Sequence, residues 1–105
     1  MELLTLTYKI TPEKAGGFCV QCLDWRSVFT QGETLQECKK NAIEATELML
    51  QVLNEGNLDP AGQPKIKSHR ADPFQFQLTF ELEKAKFISL HKINKRINLH
   101  IDSRS

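Results

Sequence analysis

Cysteine is scarce in this chain of 105 residues. There are three, and an odd number makes a poor disulfide framework. Reduced thiols are the default of the cytosol, so the count points to a cytoplasmic protein. Long apolar runs are lacking too. No stretch approaches the roughly 18–20 residues that a membrane span needs. The opening Met1-Glu2-Leu3-Leu4-Thr5 has neither the basic nor the apolar region of a secretory leader, and no membrane partner is expected. A strong overall charge is also missing, the net value being +1. Its distribution is uneven: residues 1–83 carry 8 Lys+Arg against 12 Asp+Glu, and residues 84–105 carry 6 against 1. An acidic body and a basic tail are a pattern that can serve partners of opposite charge.

What is present reads as one α+β domain over residues 1–83 with a basic extension over 84–105. Leu4, Leu6, Tyr8 and Ile10 alternate with Thr5, Thr7 and Lys9, the period of a half-buried strand. Pro12 and Gly16-Gly17 make the connection to a second strand, Phe18–Leu23, and Val28–Thr30 reads as a short third. Thr34 with Glu37 three residues later spells a capping box, in which Glu37 reaches back to the Thr34 N–H. Leu35, Cys38, Ala42, Ala45, Met49 and Val52 then recur at helical spacing, and Gly56 can close the helix in a left-handed conformation. Phe74, Phe76, Leu78, Phe80 and Leu82 alternate with polar residues. They form the strongest strand of the chain, which needs a mate in the sheet or in a second copy. Beyond it, Phe87, Leu90, Ile93 and Ile97 stand at helical spacing, which predicts a short helix to about Arg96 and then an extended segment.

Taken together, Tyr8-Lys9-Ile10, Glu13, Gly16-Gly17-Phe18, Asp24, Thr30-Gln31-Gly32-Glu33-Thr34, Glu37 and Asn41-Ala42-Ile43-Glu44-Ala45 resemble the amino-terminal domain of the HicB antitoxin family. The likeness covers roughly residues 6–53. Glu33 stands where the family usually has Asp, and the Leu23–Val28 loop lacks the two prolines and the glycine that are frequent there. After the last strong strand about 22 residues remain, too few for the ribbon-helix-helix or helix-turn-helix that many members carry, so the chain looks like a minimal or divergent member. The resemblance implies a partial RNase H-like fold, β-β-β-α-β: a small antiparallel sheet with one long helix on a face. It also implies a partner, a small basic HicA-type RNase toxin, neutralised by stoichiometric binding.

Chemistry-bearing residues are sparse. Nuclease chemistry of the RNase H kind needs several carboxylates converging on divalent metals, and the first three strands offer only Asp24. Neither a catalytic residue nor a metal or other cofactor is expected. Cys19 and Cys22 match Cys-x-x-Cys, but residues i and i+3 of a strand face opposite sides, so the thiols should diverge. His69, His91 and His100 pair with no carboxylate at a local spacing and read as surface residues. Trp25, the only tryptophan, has two readings, a cap on the core edge or an interface anchor. The expected partner-binding residues are Asp24, Trp25 and Arg26, since Trp and Arg are frequent hot-spot residues. Lys92, Lys95 and Arg96 are the candidate phosphate contacts of the tail.

These readings converge on an antitoxin-like binding module, not an enzyme. It is expected to form a homodimer or higher oligomer through the strand Phe74–Leu82 or the tail. The alternative is an orphan HicB-like structural or regulatory module whose basic tail makes weak, salt-sensitive nucleic-acid contacts.

Overall fold

The structure, a computed structural model, describes residues 2–56 and 62–92. Among these residues five strands and one α-helix follow in the order β1 (Leu3–Pro12), β2 (Phe18–Cys22), β3 (Phe29–Gly32), α1 (Leu35–Asn54), β4 (Gln75–Glu81) and β5 (Lys86–Lys92). They build one sheet of order β3-β2-β1-β4-β5, antiparallel at every pairing. The fold is therefore α+β as expected, with a β-β-β-α-β-β sequence of elements instead of β-β-β-α-β.

Strand alternation sorts the sheet into two faces. Leu6 pairs with Leu78, Tyr8 with Phe76 and Cys22, and Ile10 with Val20, and all of these side chains are buried. Their face is covered by α1, whose buried residues Cys38, Ala42, Thr46 and Leu50 recur every four positions. Tyr8 stacks on Phe76 with ring centroids 5.1 Å apart. The Tyr8 hydroxyl lies 2.6 Å from the Thr46 hydroxyl, which donates to the Ala42 carbonyl at 2.7 Å. Thr46 thus belongs to the core although its type kept it out of the predicted stripe, whereas Leu35 at the start of that stripe is exposed.

The Thr34 side chain caps α1 by accepting from Glu37 N at 3.1 Å. The reciprocal bond differs from the expected box: Glu37 Oε1 accepts from Glu33 N at 2.6 Å, not from Thr34 N. Gly56 closes the helix with φ 75° and donates to Leu53 O at 3.0 Å. Gly32 is required for another reason. A Cβ there would sit 2.9 Å from Cys38 N, so only glycine lets β3 come this close to the helix start.

The predicted short helix after the last strong strand is corrected over 86–92, which is strand β5; residues 93–105 lie outside the described residues. The helical spacing of Phe87 and Leu90 has another cause. Leu90 pairs with Leu78 and Phe87 with Phe80, although the partners are two apart and the β5 residues three. One extra residue, Ile88, is inserted where the register shifts between Thr79 and Phe80. This is a β-bulge. It brings Phe87 and Leu90 onto the same face, and Phe87 meets Phe80 edge-on at 5.9 Å. The strand Phe74–Leu82 was expected to contribute to self-association. Its observed core, β4, is flanked by β1 and β5, so it offers no free edge to a second copy.

Between α1 and β4, residues 62–72 form a strap. It begins beside Trp25 and meets Asp24 on the β2 side of β1, where Leu23 N donates to Thr7 O at 2.8 Å. By Phe74, whose carbonyl accepts from Ile10 N at 2.8 Å, the chain is on the β4 side. It therefore crosses β1 on the face away from the helix. On that face Lys9 Nζ lies 3.4 Å from Asp72, and Thr7 is buried.

Candidate functional site

Asp24 and Trp25, expected at a partner surface, are inside the molecule at 4% and 1% exposure. Asp24 Oδ2 accepts from Thr7 N at 2.9 Å, and Oδ1 accepts from Lys67 N at 2.8 Å and meets His69 Nε2 at 2.7 Å. The Asp24 carbonyl accepts from Lys65 N at 2.7 Å. The Trp25 indole donates to Gly62 O at 2.7 Å. Burying a carboxylate is costly unless its oxygens are matched by donors, and here they are. The pair fastens the strap to the end of β2. Of the three expected contact residues only Arg26 is exposed. His69, read from sequence as unpaired surface, is instead the partner of a buried carboxylate 45 residues away.

The cysteines diverge as the strand geometry requires. Cys22 faces the helix, and burial pushes its thiol up to about 12. Cys19 lies on the opposite face, and a hydrogen bond to the Glu13 carboxylate holds its thiol above the ordinary value. Burial likewise raises Cys38. Among the described residues, no three His, Cys, Asp or Glu side chains gather as a metal site, and no helix is long and apolar enough to cross a membrane. Lys92 is the last residue of β5; Lys95 and Arg96 lie outside the described residues.

The clearest concavity is elsewhere. A notch of about 400 Å³ opens between the β1–β2 turn, β3 and the first turns of α1. The turn contributes Glu13, Gly16, Gly17 and Phe18; β3 contributes Thr30, Gln31 and Gly32; the helix start contributes Glu33, Glu37 and Asn41. Local geometry holds these pieces together. Glu13 N donates to Gly17 O at 3.0 Å, and Asn41 Nδ2 donates to Gln31 O at 2.8 Å. Gly17 has φ 77°, a conformation that favours glycine, and a Cβ there would crowd Gly32 O at 3.1 Å. Three carboxylates and no Lys or Arg line the notch. The partial positive charge of the helix N-terminus supports carboxylates at this end.

All ten lining residues belong to the set that carries the HicB resemblance, drawn from three separate stretches of chain. In the sequence they stand as family marks, and their spacing does not single them out as a contact site. Each has a structural place of its own, as cap, turn, strand or helix residue, and this hides any second role. The signal that would have found them is convergence in space, which spacing along the chain does not report.

Comparisons with protein-family models, with curated proteins and with solved structures found no match for this chain.

Proposed function

We propose that this chain is a HicB-like, antitoxin-type binding module that neutralises a small basic RNase toxin by stoichiometric protein–protein binding. The Glu13–Glu33–Glu37 notch, not the Asp24–Trp25 corner, receives that partner. One observation carries the reading: ten of the nineteen residues of the resemblance, from separate stretches of chain, converge on one acidic concavity. Charge supports it. Residues 1–83 have 8 Lys+Arg against 12 Asp+Glu, and an excess of one sign speeds encounter with an oppositely charged partner. The mode of action is occlusion of the toxin's RNA-binding or catalytic surface, with no turnover.

The test is affinity capture of the tagged chain from its native host, with native mass spectrometry of the eluate. A small basic protein in fixed ratio is the expected result. Its ratio should fall sharply when Glu13→Gln and Glu33→Gln are combined, and persist in Arg26→Gln. Elution of the chain alone would sink the antitoxin reading. Loss through Arg26→Gln but not through the two glutamates would move the contact away from the notch.

A further inference from the structure

The strap carries the sequence Lys65-Ile66-Lys67-Ser68-His69-Arg70. Three of its groups converge on one residue. The amides of Lys65 and Lys67 and the His69 ring all bond to Asp24, and the strap's beginning is held by the Trp25 indole. The side chains of Lys65, Lys67 and Arg70 are exposed, as is Arg26, two residues beyond the carbonyl that Lys65 bonds. None of these four cations forms an ion pair among the described residues. Asp24 and Asp72, the carboxylates hydrogen-bonded along the strap, have other partners and form no ion pair with these four. Asp24 is buried. Asp72 accepts from Phe74 N at 2.8 Å and pairs with Lys9. In a body with an acidic balance, this is a local excess of positive charge on a backbone fixed from beneath.

From this juxtaposition we infer that the strap, with Arg26 beside it, is a nucleic-acid contact surface. Lys65, Lys67, Arg70 and Arg26 engage the phosphodiester backbone without reading sequence. The chemistry favours phosphate over an acidic protein partner. Protein interfaces are depleted of Lys and are built around a buried aromatic or apolar centre, and this stretch has only Ile66 as an exposed large apolar residue. Lysine and arginine are ordinary phosphate-contacting groups, and here they stand on a segment whose backbone is hydrogen-bonded to Asp24. The surface shares no residue with the notch and stands whether or not the toxin-binding reading holds.

The test uses the full chain and fluorescently labelled 20-nucleotide probes of one sequence: single-stranded RNA, single-stranded DNA and duplex DNA. Binding is followed by anisotropy between 50 and 200 mM salt. Three to four phosphate contacts predict a weakening of roughly 40- to 150-fold over that range on the duplex. The double variant Lys65→Gln/Lys67→Gln should lower the slope of log affinity against log salt by about 1.8. The control Lys14→Gln/Lys40→Gln removes the same charge from other exposed positions and should leave that slope unchanged. Both side-chain pairs lie outside the core, so thermal melts of the variants should match the parent. RNA and DNA should bind within a few-fold of each other. The inference is overturned by the absence of binding at 50 mM salt, by equal loss in the two variants, or by a preference above about tenfold for one sugar. Equally tight binding of a polyglutamate probe would also overturn it, in favour of an acidic protein partner.

Discussion

His69 Nε2 and Asp24 Oδ1 lie 2.7 Å apart across 45 residues of chain, with only 14% and 1% of their side chains exposed. The contact joins the strap to the end of β2, and Thr7 N and Lys67 N complete the carboxylate's partners. Asp24→Ala strands those donors in a buried place. The expected loss is about 3 kcal/mol of unfolding free energy, read by urea denaturation. His69→Ala should cost less, about 1–2 kcal/mol, because both amides keep their acceptor. A loss below 1 kcal/mol for Asp24→Ala would show that the strap is not held in this way.

Trp25 reports on the same fastening. It is the only tryptophan and is buried with its indole bonded to Gly62 O. Its fluorescence in the native protein should resist acrylamide quenching. Quenching should rise in His69→Ala before any change in the far-ultraviolet circular dichroism, since the strap lies outside the helix and strands. Free quenching of the native parent would contradict this placement.

Beneath the helix, Tyr8 and Thr46 share a buried hydrogen bond of 2.6 Å. Tyr8→Phe and Thr46→Val should each destabilise by about 1–2 kcal/mol. The double variant should lose clearly less than the sum, because removing both partners leaves no orphaned hydroxyl. An additive cycle would deny the coupling.

Alkaline pH should weaken the protein for a stated reason. Cys22 has a folded-state pKa pushed from 9.0 up to about 12 by burial, and Tyr8 is raised from 10.0 by the same cause. Above pH 9 the unfolded chain releases the Cys22 proton while the folded chain keeps it. Stability is therefore full below about 9 and falls as pH rises through the window towards 12. Cys22→Ala should make the decline between pH 9 and 10 shallower, as followed by urea midpoints. An unchanged decline in that variant would rule out Cys22 as its source.

The bulge in β5 gives a contrast between substitution and deletion. Ile88 is 48% exposed, so Ile88→Ser should cost under about 1 kcal/mol. Deleting Ile88 removes the inserted residue, and the one-residue slip turns either Phe87 or Leu90 out of the core. Its unfolding midpoint should fall far more than that of Ile88→Ser. Equal effects would mean that the bulge does not set the register.

Much of the fold was legible because it obeys one period at a time. β1, β2 and β4 alternate, and α1 keeps one stripe between a Thr cap and a Gly stop. β5 imitates a helix in the sequence because the bulge converts a strand's period of two into a spacing of three between Phe87 and Leu90. Thr46 was overlooked because a polar type on a buried stripe needs a partner, Tyr8, on another element. The Asp24–His69 pair was invisible because nothing in local spacing links residues 45 apart. For the same reason the notch could be read only as a set of family marks, while its cap and turn residues were individually plain.

The position of β1 has a temporal consequence. Its pairing with β2 is local, Tyr8 opposite Cys22, but its other side pairs with β4, Thr7 opposite Gln77, across 70 residues. On a ribosome adding roughly 5–20 residues per second, that interval lasts about 4–14 s. Once β3 has been made, and until β4 follows, the nascent amino-terminal half has the strands of a three-strand meander in which the β4 side of β1 is unpaired. Non-local pairing of this kind slows folding, and the waiting border is where a chaperone, or a neighbouring nascent copy, would first find the chain.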